Sequence, residues 1–126
     1  VLRRGIALLR AVEPGSGPYP GRQARWLGVA ETSGQRLAAL SWYLAMMTDT
    51  CLRLTGAKGP VIVEGPFARN RDYLDMLASL RPGGVETAAS ATGTSVGAAL
   101  LLIDRAVPSV TTPHVPAGPL SGYRGY

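Results

Sequence analysis

Gly59-Pro60-Val61-Ile62-Val63-Glu64-Gly65-Pro66-Phe67-Ala68-Arg69-Asn70 is the stretch on which the fold turns. Val61, Ile62 and Val63 are β-branched and bracketed by glycine and proline. That is the pattern of a short central strand in a parallel sheet, buried on both faces. Asn70 then offers an N-cap, and Tyr73, Leu74, Leu77 and Leu80 recur at helical spacing. The unit is strand, tight turn, helix. In open α/β sheets ligands bind beyond the carboxyl ends of the strands, where this turn falls. Gly65 lets the backbone come close to a ligand, since no Cβ intervenes. A plain connection needs the same residue types, and from spacing alone that reading leads.

Upstream, Thr32 to Gly56 reads as the longest helix. Thr32 with Gln35 makes a capping box, and Gly56 supplies the stop. Leu37, Leu40, Leu44, Met47, Cys51 and Leu54 are spaced alternately three and four apart, so they share one face, expected to point inward. Ala38, Ala45 and Leu52 widen it. Before this helix, Gly5 to Val12 reads as a strand entering the sheet and Trp26 to Ala30 as a second. Between them Glu13 to Gly21 has Gly or Pro at six of nine positions and reads as a surface loop. Downstream, Arg81-Pro82-Gly83-Gly84 breaks the second helix and Val85 to Ala89 reads as a strand. Thr94 or Ser95 caps a third helix, with Val96, Ala99, Leu100 and Ile103 expected to face inward. Past Ala106 the prolines recur and no pattern holds.

With the helix before it and Ala91-Thr92-Gly93-Thr94-Ser95-Val96-Gly97-Ala98-Ala99-Leu100 after it, the stretch resembles the C-terminal domain of the FGGY carbohydrate kinases. The resemblance covers roughly Gly28 to Arg105. It implies an α/β fold of the ribonuclease H-like, actin-like ATPase class, a mixed sheet with helices on its faces. Residues 1–107 would be that domain, short of its N-terminal side, and 108–126 a Pro/Gly-rich tail. The implied activity is transfer of the γ-phosphate of ATP, with Mg²⁺, to a hydroxyl of a sugar or polyol. Gly65 matches the first turn glycine and Asn70 the helix-starting Asn implied to contact the nucleotide. Pro66 and Phe67 fill the remaining turn positions. Pro66 replaces the second glycine of the family's pair and removes a backbone N–H. Phe67 could stack on adenine or anchor the turn. The catalytic base, phosphate loops and sugar-selecting residues belong to parts of the family's chain not matched here, so the 126 residues are expected to be inactive alone.

Composition narrows the alternatives. Thirteen Lys and Arg against eight Asp and Glu give a net charge of +5, but the basic residues are scattered as Arg3-Arg4, Arg22, Arg25, Arg69 and Arg71. No cationic block marks a nucleic-acid partner. A hydrophobic content of 46% with 17% charged residues suits one folded domain. There is no run of eighteen apolar residues, so no membrane partner is expected. Cys51, the single cysteine, excludes an internal disulfide and fits a reducing, cytoplasmic setting; on an apolar helix face it reads as a small hydrophobe. Val1 in place of Met leads to the expectation of a start in mid-protein.

His114 has no Cys or His neighbours at ligand spacing, so no transition-metal site is expected. Ser33, Ser95 and Ser121 have no glycine elbow or base, and neither a Walker loop nor a dinucleotide fingerprint occurs. Glu64, at the strand end, could orient a Mg²⁺-bound water or a ribose hydroxyl, although an exposed strand-end carboxylate is the preferred reading. Besides the kinase, a non-catalytic actin-like domain that dimerises or docks a partner through the long helix remains open. A Rossmann-type binder is a third reading, weakened by the missing fingerprint. A homodimer is a further possibility.

Overall fold

The computed structural model describes residues 4–9, 13–89, 93–102 and 110–117. In chain order the elements are β1 (Ala7–Leu9), β2 (Arg25–Leu27), α1 (Ser33–Leu54), β3 (Val61–Val63), α2 (Arg71–Leu80), β4 (Val85–Ala88), α3 (Gly93–Leu100) and β5 (Thr111–Pro113). The architecture is mixed α/β, with a mixed sheet and helices, as the sequence leads one to expect.

That sheet has the order β3-β4-β5. β3 runs parallel to β4 in the register Val61↔Val85, Ile62↔Glu86, Val63↔Thr87, and β5 runs antiparallel to β4 with Thr112 opposite Thr87. Side chains alternate across a sheet, so Val61, Val63 and Val85 share one face and Ile62 and Glu86 the other. α1 and α2 cover the first face. Trp42 and Ala45 of α1 meet Val63, Val85 and the Tyr73, Leu74, Met76 and Leu77 stripe of α2 in one buried cluster. The two helices run the same way: Asn70 at the start of α2 bonds Ser41, and Arg81 at its end pairs with Asp49.

Several expectations need correction. β3 is not central and is not buried on both faces. It is an edge of the described sheet, and Ile62 is 51% exposed. The first strand does not enter this sheet; β1 pairs antiparallel with β2 in a separate ribbon, Leu8 opposite Trp26. The segment beyond Ala106 does hold structure, since β5 adds to β4, where Ala89 N–H donates to Val110 O and His114 N–H to Val85 O. α3 contains Thr94 and Ser95 rather than starting after them, and Ala99 is exposed. Ile103 and the side chain of Val96 lie outside the described residues.

The largest correction concerns α1. Its capping box is present as expected, with Gln35 N–H donating to Thr32 Oγ1 at 3.2 Å and Gln35 Oε1 accepting from Thr32 N–H. Of its apolar stripe, however, only Leu40 and Met47 are half-buried and the other four are exposed. Leu37 is 63%, Leu44 39% and Leu54 72% exposed, and Cys51 is exposed with them. The buried side is Ala39, Ser41, Trp42, Tyr43, Ala45 and Asp49. Leu44 follows Trp42 by two residues, roughly 200° around a helix, so one of the two must face away from the core. Trp42 fills the space between sheet and α2, and Ala39 and Ala45 are small enough for close approach. Asp49 is drawn inward by Arg81, whose own guanidinium is buried and donates to Ala57 O at 2.7 Å.

Candidate functional site

At the carboxyl end of β3 the chain reverses through Glu64 and Gly65. Gly65 has φ +68°, the left-handed region in which a side chain is strained, and a Cβ there would meet nothing within 4 Å. The turn is therefore open on that side. Gly65–Arg69 then form a single 3-10 turn with Pro66 at its start, where a missing N–H breaks no internal bond. Asn70 N–H donates to Phe67 O at 3.1 Å and closes it. Phe67 sets its edge against Tyr73, centroids 5.0 Å apart and planes inclined by 63°. It is half-exposed, so it anchors the turn without being sealed in.

Asn70 starts α2. Its Oδ1 accepts from Tyr73 N–H at 3.1 Å, and its Nδ2 donates to Ser41 Oγ at 2.9 Å. Both ends of the amide thus serve the protein: one caps α2, the other ties that cap to α1. Tyr73 OH lies 3.1 Å from Thr48 Oγ1, which donates to Leu44 O, a second polar tie between the same helices. Pairing of this kind keeps buried polar groups satisfied and holds the turn in register.

An open groove of about 480 Å³ lies over the helix start, lined by Leu37, Pro66, Arg69, Asn70, Arg71 and Asp72. Of the four turn residues singled out from the sequence, Pro66 and Asn70 line it. Gly65 and Phe67 stand beside it in the chain and are not among its walls. Leu37, Arg69 and Arg71 were not read as site residues. Their signal was present only in that both arginines flank Asn70; Leu37 reaches the groove because α1 is turned outward. The chemistry is an apolar wall of Leu37 and Pro66 beside two guanidiniums. The amino end of a ten-residue helix adds a partial positive charge, offset in its first turn by Asp72.

Glu64 is exposed at the strand end. Among the described residues no three His, Cys, Asp or Glu side chains come together as a metal site. His114 instead pairs with Asp75 of α2, Nε2 to Oδ1 at 2.7 Å. No helix among the described residues is long and apolar enough to cross a membrane.

A larger cavity of about 660 Å³ opens at the other end of the helix pair, lined by Tyr19, Asp49, Arg53 and Arg81 among others. There Asp49 pairs with Arg53 at 2.5 Å and with Arg81 at 3.5 Å. Asp49 thus pairs with both arginines and joins α1 to the end of α2, while Nε of Arg81 is buried without a hydrogen-bond partner. Size alone would favour this cavity. The smaller groove is the better candidate because it adjoins the turn at the carboxyl end of β3.

The sequence matches the family of the carbohydrate kinase FGGY C-terminal domain over residues 1–111. No match is found among curated proteins. Among solved structures, a carbohydrate kinase from Novosphingobium aromaticivorans is 38% identical and superposes with a TM-score of 0.86. The match covers 98% of this chain and 28% of that one, so the chain spans little more than a quarter of its structural relative.

Proposed function

The chain belongs to the FGGY carbohydrate kinase C-terminal domain family, and from that premise we propose that it forms the nucleotide side of the cleft in an ATP-dependent sugar or polyol kinase. The reaction is attack of a sugar hydroxyl on the γ-phosphorus of ATP. The bond to the β-phosphate oxygen breaks, ADP leaves, and the hydroxyl proton passes to a base. The observation that carries the reading is the β3 turn: a left-handed Gly65 open on its outer side, followed by a helix start whose groove joins an apolar wall to Arg69 and Arg71. An adenosine needs an apolar surface and an anionic tail needs cations, and this groove offers both.

Within that reading Gly65 allows the ligand close to the backbone, Pro66 and Phe67 shape the turn, and Asn70 holds the helix start in place through Ser41. A nucleotide contact by Asn70 uses the amide hydrogen that Ser41 leaves over. Mg²⁺ accompanies ATP in phosphoryl transfer, and the described residues offer it no cluster of ligands. The base and the phosphate loops belong to the remainder of a longer protein. The ribonuclease H-like arrangement of actin-like ATPases fits the parallel β3–β4 pair with α1 and α2 packed on one face. A cytoplasmic setting accords with a single cysteine.

The test is ADP release by the full-length protein over a panel of pentuloses, hexuloses and polyols, with calorimetry of ATP binding. Turnover with one of them supports the kinase. No turnover and no ATP binding overturn it. Turnover by the 126-residue chain alone would overturn the assignment of the base elsewhere. The second reading, a non-catalytic domain that dimerises or docks through α1, is favoured by the outward Leu37, Leu44 and Leu54. It predicts no ADP release with any sugar.

A further inference from the structure

Two hydroxyl residues of α1 face α2 rather than solvent. Ser41 and Thr48 stand two helical turns apart and so share a side. Ser41 is 2% exposed, and its Oγ accepts from Asn70 Nδ2 at 2.9 Å. Thr48 Oγ1 lies 3.1 Å from Tyr73 OH. Alanine would suit the Ser41 position in two respects: it is the better helix former, and it brings no hydroxyl to satisfy. The group that this buried hydroxyl meets is the amide that starts α2.

The chemistry of that contact fixes which way the amide lies. Tyr73 N–H can only donate, so the oxygen of Asn70 must turn to it, and it accepts at 3.1 Å. Nδ2 is then left for Ser41. One end of the amide is held by the backbone of α2 and the other by α1, so its plane is fixed at two points. Nδ2 carries two hydrogens, and Ser41 takes one. Asn70 also lines the groove beside Pro66, Arg69 and Arg71, and the second hydrogen is what its nitrogen has to offer a ligand there. Such a donor calls for an acceptor, a ring nitrogen or a sugar oxygen of a nucleoside. An exocyclic amino group, itself a donor, finds no partner in that nitrogen.

We propose that Ser41 is a positioning residue for nucleotide binding. It is not among the groove walls and touches no ligand. It holds the Asn70 amide so that the remaining hydrogen meets an acceptor of the nucleoside. This rests on the reading of the groove as the nucleotide site. A donor fixed in advance binds more tightly, because it has less freedom to lose when the ligand arrives. Ser41→Ala leaves Asn70 capping Tyr73 but frees its nitrogen to swing about that anchor.

Calorimetry on the full-length protein compares ATP with analogues that each lack one acceptor: 7-deaza, 3-deaza, 2′-deoxy and 3′-deoxy. In the parent, one analogue is expected to bind about three- to tenfold more weakly than ATP, the loss of a single hydrogen bond. Ser41→Ala should weaken ATP by a similar factor and abolish the difference between ATP and that analogue. Asn70→Ala should do the same, and the double variant should bind ATP no more weakly than Asn70→Ala alone. Thr48→Ala removes the other polar tie between the helices. It should lower the melting temperature while keeping both the ATP affinity and the difference between ligands. Four results would overturn the proposal: no analogue weaker than ATP in the parent, Ser41→Ala binding ATP as the parent does, Ser41→Ala weakening ATP and every analogue equally, or Thr48→Ala losing as much ATP affinity as Ser41→Ala. The last would trace the loss to loosened helix packing. A parent that binds no ATP would remove the nucleotide reading itself, and this proposal with it, so the parent alone tells the two failures apart.

Discussion

The side-chain amide of Asn70 donates to the hydroxyl of Ser41 across 2.9 Å, joining the first turn of α2 to a residue buried in α1. The same side chain caps Tyr73 through its oxygen. One residue therefore ends the β3 turn, starts a helix and sets that helix against its neighbour.

This dual use separates the roles of Asn70. Asn70→Ala loses the cap and the tie to Ser41, and is expected to cost about 1–2 kcal/mol. Asn70→Asp keeps an oxygen for Tyr73, and the Ser41 hydroxyl can turn to donate. Its melting temperature should change little while ATP affinity falls, since a negative charge enters the groove. Thermal melts and calorimetry on the full-length protein read the two effects separately. Unchanged affinity in Asn70→Asp would confine the residue to capping.

Asp49 and Arg53 form an ion pair of unequal partners. Asp49 is 2% exposed and also faces the buried guanidinium of Arg81, whereas Arg53 is largely in solvent. Asp49→Ala leaves Arg81 without a counter-charge and is expected to destabilise by about 3–5 kcal/mol. Arg53→Ala should cost no more than about 1 kcal/mol, because an exposed partner is screened by water. Urea unfolding of both variants checks the contrast, and similar losses would contradict it.

Gly83 is required by contact rather than by conformation. A Cβ built there would stand 2.4 Å from the carbonyl oxygen of Gly59, a backbone atom that cannot swing aside. Gly83→Ala is expected to cost about 1–3 kcal/mol, as overpacking does. Gly97 in α3 has nothing within 4 Å of the same atom, so Gly97→Ala should be neutral or stabilise by about 0.5–1 kcal/mol. Gly83→Ala should lower the melting temperature and Gly97→Ala should not.

His114 fastens β5 from two sides, by its backbone to Val85 and by its ring to Asp75. His114→Ala keeps the first bond and loses the second, for an expected cost of about 1 kcal/mol. Hydrogen exchange should quicken first at Ala89 and His114, whose amides bond across the β4–β5 seam. Exchange unchanged at both positions would show that the ring contact does not hold the strand.

The strand at Val61–Val63, the turn with Gly65, the cap at Asn70 and the capping box at Thr32 were legible because each depends on neighbours within a few residues. Hydrogen bonds from Tyr73 N–H to Asn70 and from Gln35 N–H to Thr32 close over three positions, and glycine at positive φ follows from local sterics. The family was legible for the same reason, since the order of these local units carries the resemblance. What only the tertiary structure decided is which way each unit faces. The spacing of α1 allows a leucine stripe and a Trp42 stripe on different sides, and the core accepted the second because Trp42 and Ala45 meet α2 and the sheet and Asp49 meets Arg81. The position of β3 at an edge, the pairing of β5 with β4 and the meeting of Leu37 with Pro66 and Arg71 all join residues far apart in the chain. Such contacts depend on how whole elements pack, and periodicity within one element holds no information about the partner it will meet.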